Sequence, residues 1–247
     1  MANLYVREGL QPADFTGTIE VTGDEARHAV AVSRLRVGES ILVGNGEGTI
    51  AGGTVTAASQ NAFSVEIAEV TEYPEPVRKV WIVQALAKGD RSERAVELCT
   101  EFGAWGFVTW QAARSISKWD AKKAPKGLEK WHRVAREASK QSIRPFVPRV
   151  TGPMTTNDLV QLAAAGEATV IVLHPRDAAE LSARVAELSP SGDVYVCVGP
   201  EGGLSDAELE ALSSAGAITA TVGANVLRTS SAGAAALSVL NLAAGHW

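Results

Sequence analysis

The spacing of apolar residues changes along this chain, and the change divides it in two. Up to about residue 72 the apolar positions fall in short runs with β-branched content. These are Ile19-Glu20-Val21-Thr22, Ser40-Ile41-Leu42-Val43, Gly53-Thr54-Val55-Thr56-Ala57 and Ala62-Phe63-Ser64-Val65-Glu66-Ile67. Separated by Gly and Asn turns, they predict strands, and a small β-barrel is the natural way to close so many short ones. One helix is predicted from Gly23 to Ser33, with Asp24 near its start. The proline-rich Glu72-Tyr73-Pro74-Glu75-Pro76 predicts a hinge, hence domains at 1–72 and 77–247.

Beyond the hinge, strand-like and helix-like segments alternate. Strands are predicted at Val80 to Ala87, Gly106 to Trp110, Thr169 to Leu173, Val194 to Val198 and Ile218 to Val222. Helices are predicted at Asp90 to Phe102, where Ala95, Leu98, Cys99 and Phe102 share a face, and at Leu128 to Ser142, Ala178 to Leu188, Ser205 to Ser213 and Ser230 to Ala244. This alternation implies an α/β domain with a mostly parallel sheet covered on both faces.

Two of the strand-to-helix junctions carry candidate chemistry. Gly199-Pro200-Glu201-Gly202-Gly203-Leu204-Ser205 follows an apolar strand and precedes a helix start in which Ser205 and Glu208 form a capping box. Gly202 and Gly203 let a ligand approach the main chain closely. Leu227-Arg228-Thr229-Ser230-Ser231-Ala232 repeats the arrangement after the last strand. Together the loops suggest one small-molecule pocket built mostly from backbone, with helix N-termini beside the ligand. Arg228 is a cation at the positive end of a helix, a locally unfavourable place, so it is expected to serve an anionic group such as a phosphate or Glu201. A third glycine cluster, Gly44-Asn45-Gly46-Glu47-Gly48, follows a strand but precedes another, so it reads as a hairpin turn and not a nucleotide fingerprint.

Composition narrows the function classes. With 46% hydrophobic and 21% charged residues the chain is globular, and no apolar run is long enough to span a membrane. The segment Met1 to Leu10 lacks the apolar core of a signal peptide, and Cys99 and Cys197 sit in apolar patterns, which suits reduced thiols in the cytoplasm. His28, His132, His174 and His246 are scattered and form no metal site with the cysteines. The net charge of −5 conceals an asymmetry: residues 78–149 carry 16 Lys plus Arg against 7 Asp plus Glu, net +9, and the remainder is −14. A basic band with Trp110, Trp119 and Trp131 interleaved suits an RNA backbone with unstacked bases, although Trp131 also fits the packed face of an amphipathic helix.

Several segments, in order, resemble the ribosomal RNA small-subunit methyltransferase E family of the SPOUT class. They are Lys88-Gly89-Asp90-Arg91, Ala95 to Gly103, Arg114-Ser115, Trp131 to Ser142, Pro148, Gly199 to Ser205 and Leu227-Arg228-Thr229, together with His28 to Glu39 near the start. The resemblance implies a PUA-like N-terminal barrel, a SPOUT-type parallel sheet with a C-terminal deep trefoil knot, and a homodimer. It implies S-adenosylmethionine as methyl donor and N3-methyluridine in 16S ribosomal RNA, near the decoding centre, as product. The adenosine half of the donor is then expected among Leu173, His174, Gly199, Pro200, Glu201, Gly202, Gly223, Leu227 and Arg228, with Arg228 and Glu201 as the catalytic candidates, Glu201 as base. RNA is expected on Arg7, Arg27, His28, Arg34 and Arg36 of the barrel and on Lys88, Arg91, Arg114, Lys118 and Arg136 of the basic band. Two departures stand out: Thr229-Ser230 where the family has Thr-Glu, and Gln141-Ser142-Ile143 where it has Gln-Ser-Gly.

Overall fold

A computed structural model describes residues 3–175, 178–189 and 191–245. Met1, Ala2 and His246, which figured in the sequence reading, lie outside the described residues. The chain forms two compact units, one of residues up to Glu75 with Ser139–Val147, the other of Pro76–Ala138 with Pro148 onward.

The first unit contains β1 (Leu4–Val6), β2 (Thr18–Thr22), α1 (Gly23–Ala31), β3 (Ser40–Gly44), β4 (Thr49–Ser59) and β5 (Ala62–Glu72). They form a five-stranded sheet in the order β1-β3-β4-β5-β2, antiparallel except for the β1–β3 pair. Alternate residues of the strands fill its core, where Tyr5 meets Phe63 edge-on at 5.2 Å. Strand β1 was not predicted, because three residues are too short to show a period. Gly44 to Gly48 is the hairpin turn between β3 and β4: the Asn45 side chain accepts from the N–H groups of Glu47 and Thr49, so no anion site forms. At Gly53 a Cβ would lie 2.4 Å from the Glu66 carbonyl oxygen, so the bulge where β4 approaches β5 requires glycine.

The segment Ser139–Val147 belongs to this first unit although the hinge was placed far upstream. Lys140 and Glu25 form an ion pair at 3.2 Å with side chains only 9% and 8% exposed, and Glu25 also accepts from the Val6 N–H. Burial of both charges is tolerable because each is paired and hydrogen-bonded.

The second unit contains β6 (Arg78–Ala85), α2 (Arg91–Glu101), β7 (Gly106–Trp110), α3 (Lys123–Gln141), β8 (Arg149–Met154), α4 (Thr156–Ala165), β9 (Thr169–Leu173), β10 (Ala179–Glu180), α5 (Leu181–Arg184), β11 (Gly192–Val198), α6 (Asp206–Ser214), β12 (Ile218–Thr221) and α7 (Thr229–Ala243). Its seven strands run in the order β10-β12-β9-β11-β6-β7-β8, every neighbouring pair parallel. One face buries Val80, Ile82, Val96, Cys99, Trp131 and Leu237. The other buries Val83, Trp110, Leu159, Val172, Cys197 and Leu212. The two-sided burial explains why these strands read as continuous apolar runs. Helices α2 and α7 approach so closely that a Cβ at Gly233 would lie 2.8 Å from the Cys99 sulfur.

Two predicted elements differ and two further elements were not predicted. Helix α3 starts at Lys123, five residues before the predicted Leu128. The predicted helix from Ala178 to Leu188 is instead the edge strand β10, the single turn α5 and a 3-10 turn at Val185–Glu187, because Ala179 and Glu180 pair with β12. Strand β8 and helix α4 were missed. Gly152-Pro153 lies inside β8, where proline is tolerated because the strand is at the sheet edge.

Candidate functional site

Helix α6 begins where the capping box placed it. The Ser205 hydroxyl accepts from the Glu208 N–H, and the Glu208 carboxylate accepts from the Ser205 N–H and hydroxyl. The same buried carboxylate accepts from the Ala113 N–H at 2.9 Å and the Thr156 hydroxyl at 2.8 Å. Burial raises the Glu208 pKa, but these donors outweigh it and hold the carboxyl below its ordinary value.

The Gly199–Ser205 loop leaves the carboxyl end of β11, and the 222–228 loop leaves that of β12; β9 lies between the two strands. A crevice outside the carboxyl ends of parallel strands is the general ligand position in open α/β sheets. Here it is a cavity of about 400 Å³, within the range of small-molecule sites. Leu173 and His174 line it from the end of β9; Gly199, Pro200, Glu201 and Gly203 from the first loop; and Gly223, Leu227 and Arg228 from the second. Gly202, expected here, is not among the lining residues: it packs against Arg114, whose Cβ would be 3.3 Å from a Cβ at Gly202.

A buried hydroxyl ties the two loops together. Thr229 donates to the Gly199 carbonyl at 2.8 Å and accepts from Gln84 Nε2 at 2.8 Å. Gln84 is fully buried at the end of β6 and escaped the sequence reading, because a glutamine ending an apolar strand carries no local signal of what it will meet. The first loop also closes on itself through a bond from the Gly203 N–H to the Pro200 carbonyl, with Gly203 at φ +68. Gly223, at φ +70, donates its N–H to the Glu180 carboxylate. Only glycine adopts such angles without steric cost.

Glu201 is committed elsewhere than Arg228. Its carboxylate accepts from Arg91 at 2.5 Å and from the Lys88 N–H at 3.1 Å, which corrects the suggested Arg228–Glu201 pair. Partial burial works against ionisation, but bonds from its own backbone N–H, Arg91 and the Lys88 N–H hold the carboxyl below its ordinary value. Arg91, expected among the RNA contacts, also lines the cavity. Arg228 is exposed on the cavity wall, and its guanidinium makes no hydrogen bond or ion pair among the described residues.

The expected RNA contacts divide by unit. In the first, Arg27, His28, Arg34 and Arg36 are exposed and Arg7 is half-buried; Arg27 pairs with Asp24. In the second, Lys88 and Lys118 are exposed, and Arg136 is half-buried beside Glu137 at 3.2 Å. Arg114 is exposed, but one of its nitrogens donates to the carbonyls of Gly202 at 3.1 Å and Leu204 at 3.0 Å. Trp110 and Trp131 are fully buried and cannot stack on bases; Trp131 packs edge-on against Trp119 at 5.6 Å because α3 turns that face into the core. Both cysteines are free and buried, and burial pushes the Cys197 thiol up to about 12. Among the described residues no three His, Cys, Asp or Glu side chains are grouped to hold a metal, and no helix is long and apolar enough to cross a membrane.

The RNA methyltransferase domain family matches residues 73–241, and the RNA methyltransferase PUA domain family matches residues 21–68. Ribosomal RNA small subunit methyltransferase E of Mycobacterium bovis is 41% identical over 239 residues, spanning 94% of this chain and 89% of that protein. The protein of the same name from Bacillus subtilis is 33% identical over 246 residues, spanning 98% and 96%. A putative methyltransferase from Legionella pneumophila, solved in complex with the bound cofactor SAM, aligns with a TM-score of 0.85 at 26% identity over 98% of both chains. The ribosomal RNA small subunit methyltransferase E of Neisseria gonorrhoeae, solved bound to S-adenosyl methionine, shares the fold with a TM-score of 0.83 at 24% identity over 98% of both chains. This chain belongs to the ribosomal RNA small subunit methyltransferase E family.

Proposed function

We propose that this protein transfers the methyl group of S-adenosylmethionine to N3 of a uridine in 16S ribosomal RNA, near the decoding centre of the small subunit, and that it works as a cytoplasmic homodimer. The observation that carries the reading is the cavity between two glycine loops tied by Thr229 and Gly199, in a chain whose solved relative binds this cofactor in the same fold. We further infer that the first unit closes as a PUA-like barrel that holds RNA, and that the chain around the two loops is threaded as a deep trefoil knot. The family likeness supports both.

The residues present fit the cofactor. The cavity is small, the glycines give close approach to main-chain atoms, and apolar Leu173, Val222 and Leu227 suit an adenine face. When bound, S-adenosylmethionine supplies a methyl made electrophilic by its sulfonium. The protein's task is alignment, which supplies at most roughly 7–11 kcal/mol of barrier reduction. Arg228, a permanent cation with uncommitted donors at the cavity wall, stabilises the oxyanion that develops as the uridine N3 proton passes to solvent water and the methyl moves from sulfur to nitrogen. Such a donor is worth roughly 3–4 kcal/mol. Glu201 was the candidate base. Its pairing with Arg91 and its lowered proton affinity suit it better to holding the loop and orienting Arg91.

The test is transfer of labelled methyl to small ribosomal subunits from a strain lacking the enzyme, followed by digestion to nucleosides and mass spectrometry. Label in N3-methyluridine is expected. Label in a ribose or another base, or none, overturns the reading.

A further inference from the structure

Arg114 belongs to the basic band and bonds directly to the Gly199–Ser205 loop. One guanidinium nitrogen bridges two carbonyls of that loop, Gly202 at 3.1 Å and Leu204 at 3.0 Å. Its other guanidinium nitrogens make no hydrogen bond or ion pair among the described residues, and the residue is exposed. A guanidinium carries five donors in a rigid plane, so one edge can grip the loop while another faces an anion.

The segment that carries Arg114 is fixed on the loop side. The preceding residue, Ala113, donates its N–H to buried Glu208, which also fixes the start of α6. Ser115 is 4% exposed, and its N–H bonds to the Ala112 carbonyl. The Gly202 main chain approaches Arg114 so closely that a Cβ there would press on the Arg114 stem at 3.3 Å. Exposed Lys118, Lys122 and Lys123 follow within nine residues of the chain, and such cationic side chains suit phosphate.

We propose that Arg114 is a positioning residue that couples the two substrates: a phosphate of the RNA, bound at its free edge, fixes the guanidinium and through it the Gly202–Leu204 main chain that borders the cofactor cavity. RNA and S-adenosylmethionine then raise each other's affinity by the same factor, as linkage requires. This rests on the RNA methyltransferase reading above. It goes beyond that reading by assigning the coupling to one side chain that touches neither reacting atom.

The experiment measures the S-adenosylmethionine dissociation constant with and without small subunits from the strain lacking the enzyme. It uses the wild type, Arg114→Ala, Arg114→Lys and Lys118→Ala. In the wild type, subunits should tighten cofactor binding by about 5-fold or more, the usual lower range of coupling. In Arg114→Ala the ratio should fall to about one. Arg114→Lys should recover RNA affinity but only part of the ratio, because an ammonium lacks the planar fork. Lys118→Ala should weaken RNA binding and leave the ratio unchanged. A wild-type ratio of one, or an Arg114→Ala ratio equal to the wild type, overturns the proposal. So does a loss of cofactor affinity that is equal with and without RNA. Absence of any methyl transfer by the wild type overturns instead the substrate reading beneath it.

Discussion

The Thr229 hydroxyl donates to the Gly199 carbonyl at 2.8 Å, joining the start of the last helix to the end of β11 across 30 residues of chain. With Gln84 donating to the same hydroxyl, three segments meet at one buried oxygen. The Thr229 side chain therefore joins the two loops that shape the cavity. Thr229→Val keeps the volume and removes the hydroxyl, leaving the Gly199 carbonyl and the buried Gln84 amide short of a partner. A buried group left unsatisfied costs about 1–3 kcal/mol. Thermal unfolding should shift down accordingly and cofactor affinity should weaken, while Thr229→Ser should restore both.

Arg228 and Glu201 should separate in kinetics. Arg228→Ala is expected to retain cofactor binding and lose about 10²–10³ in kcat, the cost of removing one oxyanion donor. Glu201→Gln keeps an acceptor for the Lys88 N–H but weakens the hold on Arg91. Its kcat should fall far less, with cofactor affinity changing more than turnover. Equal and large losses of kcat in both variants would return Glu201 to the role of base.

Glu208 links stability to pH. Its folded pKa lies below the ordinary 4.5, so its charged form contributes stability above about pH 4.5 that is lost as pH falls through the lowered folded value. Glu208→Gln lacks that contribution. The variant should be less stable than wild type at neutral pH, and the two unfolding curves should converge as pH falls through the lowered folded value. A constant gap down to low pH would show that charge is not the cause.

Ile143 follows the end of α3 at φ +52, and its N–H and that of Arg144 close the helix on the carbonyls of Lys140 and Ser139. A left-handed conformation costs a β-branched residue about 1–2 kcal/mol, and glycine in this place, as in the family pattern, avoids the cost. Ile143 recovers part of it by packing against Leu4, Val6 and Ile50. Ile143→Gly should therefore change stability by less than about 1 kcal/mol, whereas truncating a comparable half-buried isoleucine at ordinary φ costs more. A loss of several kcal/mol would show that packing, not strain, dominates.

Both loops, the capping box at Ser205 and all five predicted strands of the second unit were legible in the sequence, because each rests on local signals: apolar runs, glycines and a Ser/Glu spacing of three. Eight of the nine residues expected around the cofactor line the cavity for the same reason. What could not be read was set by contacts distant in sequence. Arg91 and Arg114 looked like two more cations in a basic band; only the fold brings one to Glu201 and the other to the Gly202 carbonyl. Gln84 gave no sign that it would meet Thr229, 145 residues away. Trp131 satisfied both the stacking and the packing patterns, and burial against Trp119 decided between them.

The proposed role of the exposed cations on both units is tested by salt. If 6–10 phosphates are neutralised, binding should weaken by about 10³–10⁵ between 50 and 200 mM salt. Trp131→Phe should leave that slope untouched while lowering thermal stability, since the ring lies in the core. A flat salt response would remove the basic band from the RNA face.

The central claim is that the cofactor sits between the two glycine loops. Calorimetric titration with S-adenosylmethionine tests it most directly when wild type is compared with Leu173→Trp, which crowds the cavity from the end of β9. The account predicts saturable one-to-one binding by the wild type, and a folded variant with little or no binding. Undiminished binding by the variant, or none by the wild type, would contradict it.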